Sequence, residues 1–344
     1  TLLSAAVLGL AWARQKKGLS TVLLVVGFGV HMAADQNRVN DPNIRTMSEV
    51  WGMSFHQWAA PDPHVQYLLE RQAAEEPFRV LAMGGGQFGQ DVKPGMYGLE
   101  LANGHHPNDL ARYRELIGMV GSGAPANLID LRDGSPNLGL LSILNVRYII
   151  WPVQRFGGLP TGEVVMATSM DGQNAYEAVY EVPTLPRARL VGESVVLPEE
   201  EALGYVLSDR FRPEAEVVLT EDPPVPLAGP ELQGQVQWME RGVNRVRLTT
   251  QSSGNALLVL ADNWFPAWKA RVDGADAPVL RANHTLRAVP VSAGTHEVEL
   301  FFDSGTLRGA LFTSLASLAL LVAFAGVGAL QDRKRDTGAQ GDVS

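Results

Sequence analysis

The sequence predicts a membrane-protein fragment in which an α+β exterior region, a small α/β domain followed by a C-terminal antiparallel β-sandwich, is flanked by transmembrane helices. Three observations predict it. Residues 309–330 run for 22 positions without a charged side chain, bounded by Arg308 on one side and by Arg333, Lys334 and Arg335 on the other. As a helix this stretch is about 33 Å long, enough to cross a bilayer core, and it lacks the polar face of a core helix. The middle of the chain mixes short apolar strands with short periodic helices. From Gln235 onward the apolar residues recur with a period close to two, broken by turn signals at Ser253-Gly254, Asp273-Gly274 and Ala293-Gly294-Thr295.

The first 34 residues read as membranous too. Thr1 to Ala13 and Leu19 to Ala34 carry no charge, and Arg14, Lys16 and Lys17 lie between them. A signal peptide needs its basic region ahead of the apolar run, whereas here it follows. The expectation is a chain that begins inside one transmembrane helix, turns through a basic cytoplasmic loop and enters a second. The positive-inside rule then places the loop and the basic tail in the cytoplasm and residues 35–305 outside it, in a multi-pass protein of the cytoplasmic membrane. The net charge of −9 divides unevenly. Residues 1–33 and 306–344 together carry +4, which leaves −13 on the segment between them. The acidic balance argues against nucleic acid as a partner and leaves the lipid bilayer as the expected one. The absence of cysteine excludes disulfides, thiolate metal sites and cysteine nucleophiles.

Six segments follow: 1–34 with its partial helix, loop and second helix; an α/β domain at 35–160; a β-rich connecting region at 161–230; a sandwich at 231–305; a transmembrane helix at 306–331; and a cytoplasmic tail at 332–344. In the α/β domain, Pro63 at a helix start with Val65, Leu68 and Leu69 on one face predicts a helix to about Ala74. Phe78 to Met83 and Arg147 to Trp151 read as buried strands. Asp109 to Met119 and Leu138 to Leu144 read as helices, with Asp109 a candidate N-cap. Strands are expected at 163–167, 175–182, 189–197 and 217–220, and a helix opens at Pro198-Glu-Glu-Glu201. The sandwich strands are expected at 243–249, 256–261, 268–272, 277–280, 286–291 and 296–302. Asp273-Gly274 fits a two-residue type I′ hairpin.

Chemistry is sparse. Gly84-Gly85-Gly86 follows a strand, but no Lys-Ser/Thr pair follows it, so it reads as a flexible turn before it reads as a phosphate loop. His105-His106 with Asp109 suggests a metal; adjacent histidines diverge on either a helix or a strand, and a polar binding loop is the blander reading. Asn283-His284-Thr285 matches a glycosylation sequon by coincidence. Trp264, Phe265 and Trp268 crowd one turn, as packing or as faces on which a sugar ring can stack. Lys269 and Lys93 are the only lysines in 35–305. No catalytic, cofactor or metal residue is assigned.

Several runs carry a resemblance. Asn263-Trp-Phe-Pro-Ala-Trp-Lys-Ala-Arg-Val-Asp-Gly274, then Arg281-Ala-Asn283, then Val291-Ser-Ala-Gly-Thr-His-Glu-Val298 resemble the C-terminal exterior domain of the YfhO family of bacterial polytopic membrane proteins. Ala267 stands where that family usually has Gly, and Ser292 where it has Pro. Tyr97-Gly98, Asn103-Gly-His-His-Pro107, Arg112-Tyr113, Leu144-Asn-Val-Arg-Tyr-Ile149 and Leu185-Pro-Arg-Ala188 agree in order, so the resemblance spans most of 77–330. It implies a GT-C-like glycosyltransferase that draws sugar from a polyprenyl-phosphate carrier and delivers it to a cell-envelope glycan. In that family the catalytic acid lies in an early exterior loop, which matches no part of this sequence, so this chain alone is expected to be inactive. The alternatives are a non-enzymatic, membrane-anchored glycan- or protein-binding module and a transporter or assembly factor. Candidate acceptor-binding residues are Tyr97, His105, His106, Arg112, Tyr113, Trp264, Trp268 and Lys269.

Overall fold

The computed structural model describes residues 30, 59–84, 91–104, 109–119, 124–130, 132–169, 175–305, 308–320 and 322–323. The chain divides into two units, Thr1–Asp62 and Pro63–Ser344, and the elements below belong to the second. The helices expected within 1–34 and the tail at 332–344 lie outside the described residues, Val30 excepted.

The molecule is mostly β-sheet with few helices. The short strands β2 (Ile129–Asp130) and β3 (Ser135–Pro136) pair with each other, and a four-stranded sheet has the order β1 (Arg79–Ala82), β4 (Val146–Trp151), β6 (Ala175–Glu181), β5 (Glu163–Ser169). The β1–β4 pair is parallel and the others are antiparallel. Its apolar side chains divide between two faces. Val80, Ala82, Tyr148, Ile150 and Val179 face helix α1 (Pro63–Ala74) through Val65 and Leu68. Leu81, Met83, Ile149, Trp151, Ala178 and Tyr180 face the other way, onto α2 (Ala111–Ile117) and α3 (Leu138–Ile143). Burial on both faces is why β1 and β4 read as unbroken apolar runs rather than as alternating ones. Asn137 caps α3, its side chain accepting from the Leu140 N–H at 3.0 Å. Asp109 is not the cap of α2, contrary to expectation: the helix starts at Ala111, with Leu110 at the N-cap.

Two further sheets pack face to face. The five-stranded one has the order β10 (Gly234–Arg241), β11 (Arg245–Ser252), β17 (Gly294–Phe302), β13 (Trp268–Val272), β14 (Ala275–Ala277) and is antiparallel throughout. The six-stranded one has the order β7 (Ala188–Val191), β12 (Ala256–Asn263), β16 (Leu286–Val291), β15 (Leu280–Ala282), β9 (Glu216–Leu219), β8 (Glu193–Val196). Leu248, Val298 and Leu300 from one sheet meet Leu258, Leu260 and Val289 from the other in a shared core. Leu257 and Val259 fill a second core on the opposite face of β12.

The stretch 161–230 is divided between sheets. Strands β5 and β6 complete the four-stranded sheet, and β7, β8 and β9 build half of the six-stranded one. The single strand expected at 189–197 is broken at Gly192. A Cβ there would sit 2.2 Å from the Gly229 carbonyl oxygen and 2.8 Å from the Leu232 Cβ, so only glycine admits the close approach. The strand expected at 277–280 is likewise two strands on different sheets, β14 and β15, separated at Pro278, which has no N–H to give a ladder.

Asp273 and Gly274 have φ of 52° and 81°, and Val272 pairs with Ala275, as the expected two-residue turn requires. The Asp273 carboxylate accepts from the Glu297 N–H at 2.9 Å and lies 2.7 Å from His296 Nδ1. That hydrogen bond raises the His296 pKa above its ordinary value; partial burial opposes it and the Ala293 carbonyl adds to it. A raised folded value means that this tie stabilises the fold fully below about pH 6.5 and is lost as pH rises through the folded value. In an NMR titration His296 is expected to titrate above an exposed histidine, and Asp273→Asn to return it to the ordinary value. A wild-type midpoint at or below that of an exposed histidine contradicts the pairing.

At the C-terminal end, residues 308–320 and 322–323 are helical. Leu311, Phe312, Leu315, Leu318, Leu320 and Val322 are all exposed there. The hydroxyls of Thr313, Ser314 and Ser317 donate to the carbonyls of Gly309, Ala310 and Thr313 at 2.8–2.9 Å. Among the described residues no helix is long and apolar enough to cross a membrane, and the remainder of 309–330 lies outside them.

Candidate functional site

Strand β12 is apolar and buried from Ala256 to Ala261, then changes character at Asp262. The β12–β16 register slips between Leu260 and Asn263, and an irregularity of this kind re-aims the side chains within it. Asp262 receives arginines from three other elements. Arg79 of β1 reaches Oδ1 at 3.1 Å, Arg187 just before β7 reaches it at 2.5 Å, and Arg287 of β16 approaches Oδ2 at 3.3 Å. Glu100 forms the second anion. Its Oε2 lies 2.7 Å from Arg187 Nη2 and 4.0 Å from Arg79 Nε, and its Oε1 pairs with Arg241 at the end of β10. Four guanidiniums thus meet two carboxylates in a largely desolvated cluster that ties the four-stranded sheet to the sandwich.

Burial and charge act in opposite directions on these groups. Burial alone would raise the Asp262 carboxyl, but Arg187, Arg79 and Arg287 outweigh it and hold Asp262 well below the usual carboxylate range. Burial lowers Arg79 and Arg287 to about 10, against the pull of Asp262 and with help from neighbouring arginines. Asp262, Arg79 and Arg287 therefore remain ionised at neutral pH.

A cavity of about 480 Å³ opens beside the cluster. Arg187, Arg241 and Arg287 line it with Glu100, Asp262 and Gln72, and Trp238 and Trp268 supply two aromatic walls. The Arg287 guanidinium lies over the Trp268 ring, 3.9 Å from its centroid, and Phe302 meets that ring edge-on at 5.7 Å. Its size lies within the range of small-molecule sites.

Of the described residues expected to bind acceptor, Trp268 alone lines this cavity. Trp264 is committed elsewhere, its indole N–H donating to the Val279 carbonyl at 2.9 Å. Lys269, the next residue on β13, is exposed. Tyr113 donates its hydroxyl to the Ala102 carbonyl, and burial raises its pKa. Tyr97 packs against the α1 side of the four-stranded sheet. Arg112 pairs with Glu199, which also takes Arg281, at a second cavity of about 450 Å³ lined by Glu115 and His284. His105 and His106 lie outside the described residues. Among the described residues no cluster of three or more metal-binding side chains occurs.

Other motif residues hold the structure together. Asn283 is fully buried, and its side-chain oxygen accepts from the Val218 N–H at 2.8 Å, which places the sequon out of reach of glycosylation. Gly85 and Gly86 lie outside the described residues, and a Cβ on Gly84 would collide with the Glu177 carboxylate, an anion unsuited to a phosphate cradle.

The sequence offered two threads to the cavity, Trp268 and the Leu185-Pro-Arg-Ala188 run. The other members, at 79, 100, 241, 262 and 287, come from separate elements and show no common spacing. Comparison with family models, with curated proteins and with solved structures finds no match.

Proposed function

We propose that the folded region is the extracytoplasmic saccharide-binding part of a membrane-anchored, YfhO-like glycosyltransferase that draws sugar from a polyprenyl-phosphate carrier and serves a cell-envelope glycan. The cavity carries the reading. Tryptophan faces beside fixed hydrogen-bonding groups are how proteins hold sugar rings, one surface for the apolar face of the ring and one for its hydroxyls. The cavity is suited to binding rather than to proton transfer, because Asp262 is held ionised by Arg187, Arg79 and Arg287, and the Glu100 oxygens are engaged by Arg187, Arg79 and Arg241. The transfer step is therefore assigned to residues outside 35–305.

The membrane anchor is supported by the C-terminal helix. Its apolar side chains are exposed around it, and its hydroxyls turn back onto its own carbonyls, an arrangement that suits hydrocarbon. On intact cells a membrane-impermeant amine reagent is expected to label Lys269 and to reach Lys334 only after lysis; the reverse pattern overturns the topology.

The saccharide reading is tested on the full chain in lipid nanodiscs with oligosaccharides released from the cell envelope. Trp268→Ala is expected to abolish binding while thermal unfolding stays cooperative, and Phe265→Ala, exposed on the same turn, to leave binding unchanged. Equal binding by wild type and Trp268→Ala overturns the assignment. A module that binds without serving a transferase shares the same cavity. Sugar transfer from a polyprenyl-phosphate donor by the full-length membrane protein separates the two.

A further inference from the structure

We propose that the cavity selects a saccharide bearing an oxyanion, either the carboxylate of a sugar acid or a phosphate ester. This deepens the saccharide reading and rests on it. The argument is one of unused donors. Arg187 and Arg287 are 6 % and 5 % exposed, and both line the cavity. Arg187 Nη1 and Arg287 Nε and Nη1 are buried and have no hydrogen-bond partner.

The neighbouring carboxylates do not supply one. Asp262 Oδ1 already takes Arg79 and Arg187 and its Oδ2 faces Arg287 Nη2, while the Glu100 oxygens are divided among Arg187, Arg79 and Arg241. Four guanidiniums against two carboxylates leave an excess of two positive charges, with Arg79, Arg187 and Arg287 largely buried and Arg241 at the rim. Buried cations and unfilled N–H donors are costly unless something compensates them. A planar carboxylate or a phosphate matches the guanidinium fork, meets the donors and cancels the excess charge. A neutral sugar does only part of this.

The second cavity, at His284, offers no comparable excess, since the carboxylates of Glu115, Glu199 and Glu200 line it against Arg112 and the Arg281 that pairs with Glu199.

The test uses the full chain in nanodiscs and four probes: methyl glucuronide, glucose 1-phosphate, methyl glucoside and inorganic phosphate. The anionic sugar that matches the site is expected to bind at least about tenfold more tightly than methyl glucoside, as a charge-assisted bidentate pair allows. Preference for the glucuronide identifies a sugar acid, and preference for the phosphate a phosphorylated sugar. Arg241→Gln alters a half-exposed residue whose one ion pair is with Glu100, and so spares the packing. It is expected to lower affinity for the anionic sugar about tenfold more than affinity for methyl glucoside, and to flatten the salt dependence. Methyl glucoside binding as tightly as both anionic sugars overturns this inference and leaves the saccharide reading standing. Inorganic phosphate binding as tightly as glucose 1-phosphate removes the sugar from the inference. Failure of all four probes counts against the saccharide reading itself.

Discussion

Asp262→Ala is expected to destabilise the protein by about 3–5 kcal/mol, the cost of removing one partner from a buried ion pair. The reason is what remains behind. Arg79, Arg187 and Arg287 converge on this one carboxylate, and each stays buried when it is gone. Arg79 keeps the carbonyls of Leu144 and Ala261, but Arg287 loses the one ion pair it has, and the three cations repel one another. Urea unfolding followed by tryptophan fluorescence measures the loss. Asp262→Asn keeps the shape and restores a polar acceptor, so it is expected to lose less. Because the folded pKa is depressed, the wild-type stabilisation is present above the ordinary carboxylate pKa of about 4 and falls as pH drops below it. The alanine variant is expected to lack that part of the acid-induced loss. Near-neutral stability of Asp262→Ala means that the cluster does not hold the two halves together.

Trp151→Ala is expected to cost a similar amount, about 3–5 kcal/mol, as large-to-small changes in a core do. Trp151 is fully buried on β4, packs on Phe156 at 5.2 Å, and donates its indole N–H to the Gly157 carbonyl at 2.8 Å. The change leaves a void beneath the sheet and removes that hydrogen bond. Trp268→Ala makes an instructive contrast. That residue is half-buried at the cavity wall, so its loss is expected to cost clearly less stability while removing ligand binding. Equal stability losses at 151 and 268 contradict the placement of Trp268 in a binding site.

Local patterns made much of the fold legible. Pro63 and the Val65–Leu68 face gave the first helix, and the Asp273-Gly274 turn gave its hairpin. The breaks at Gly192 and Pro278 were not visible along the strand, because one depends on the distant Gly229 carbonyl and the other on strands assigned to different sheets. The cavity was the least legible feature. Trp268 announced itself by its aromatic neighbours, but Arg287 reads in sequence as one polar residue in an apolar strand and Asp262 as the end of another. Only the closure of β12 against β1, β7 and β16 turns them into a cluster.

The central claim, that a saccharide occupies the cavity beside Trp268, is tested most directly by photo-crosslinking. A diazirine-bearing acidic oligosaccharide is irradiated with the full chain in nanodiscs, and the labelled peptides are mapped. Labels are expected on residues 238–246 and 262–268 and around Arg287, and are expected to be lost on competition with the unmodified sugar. Competable labels confined to the cavity of Glu115, Glu199 and His284, or no competable label at all, contradict it.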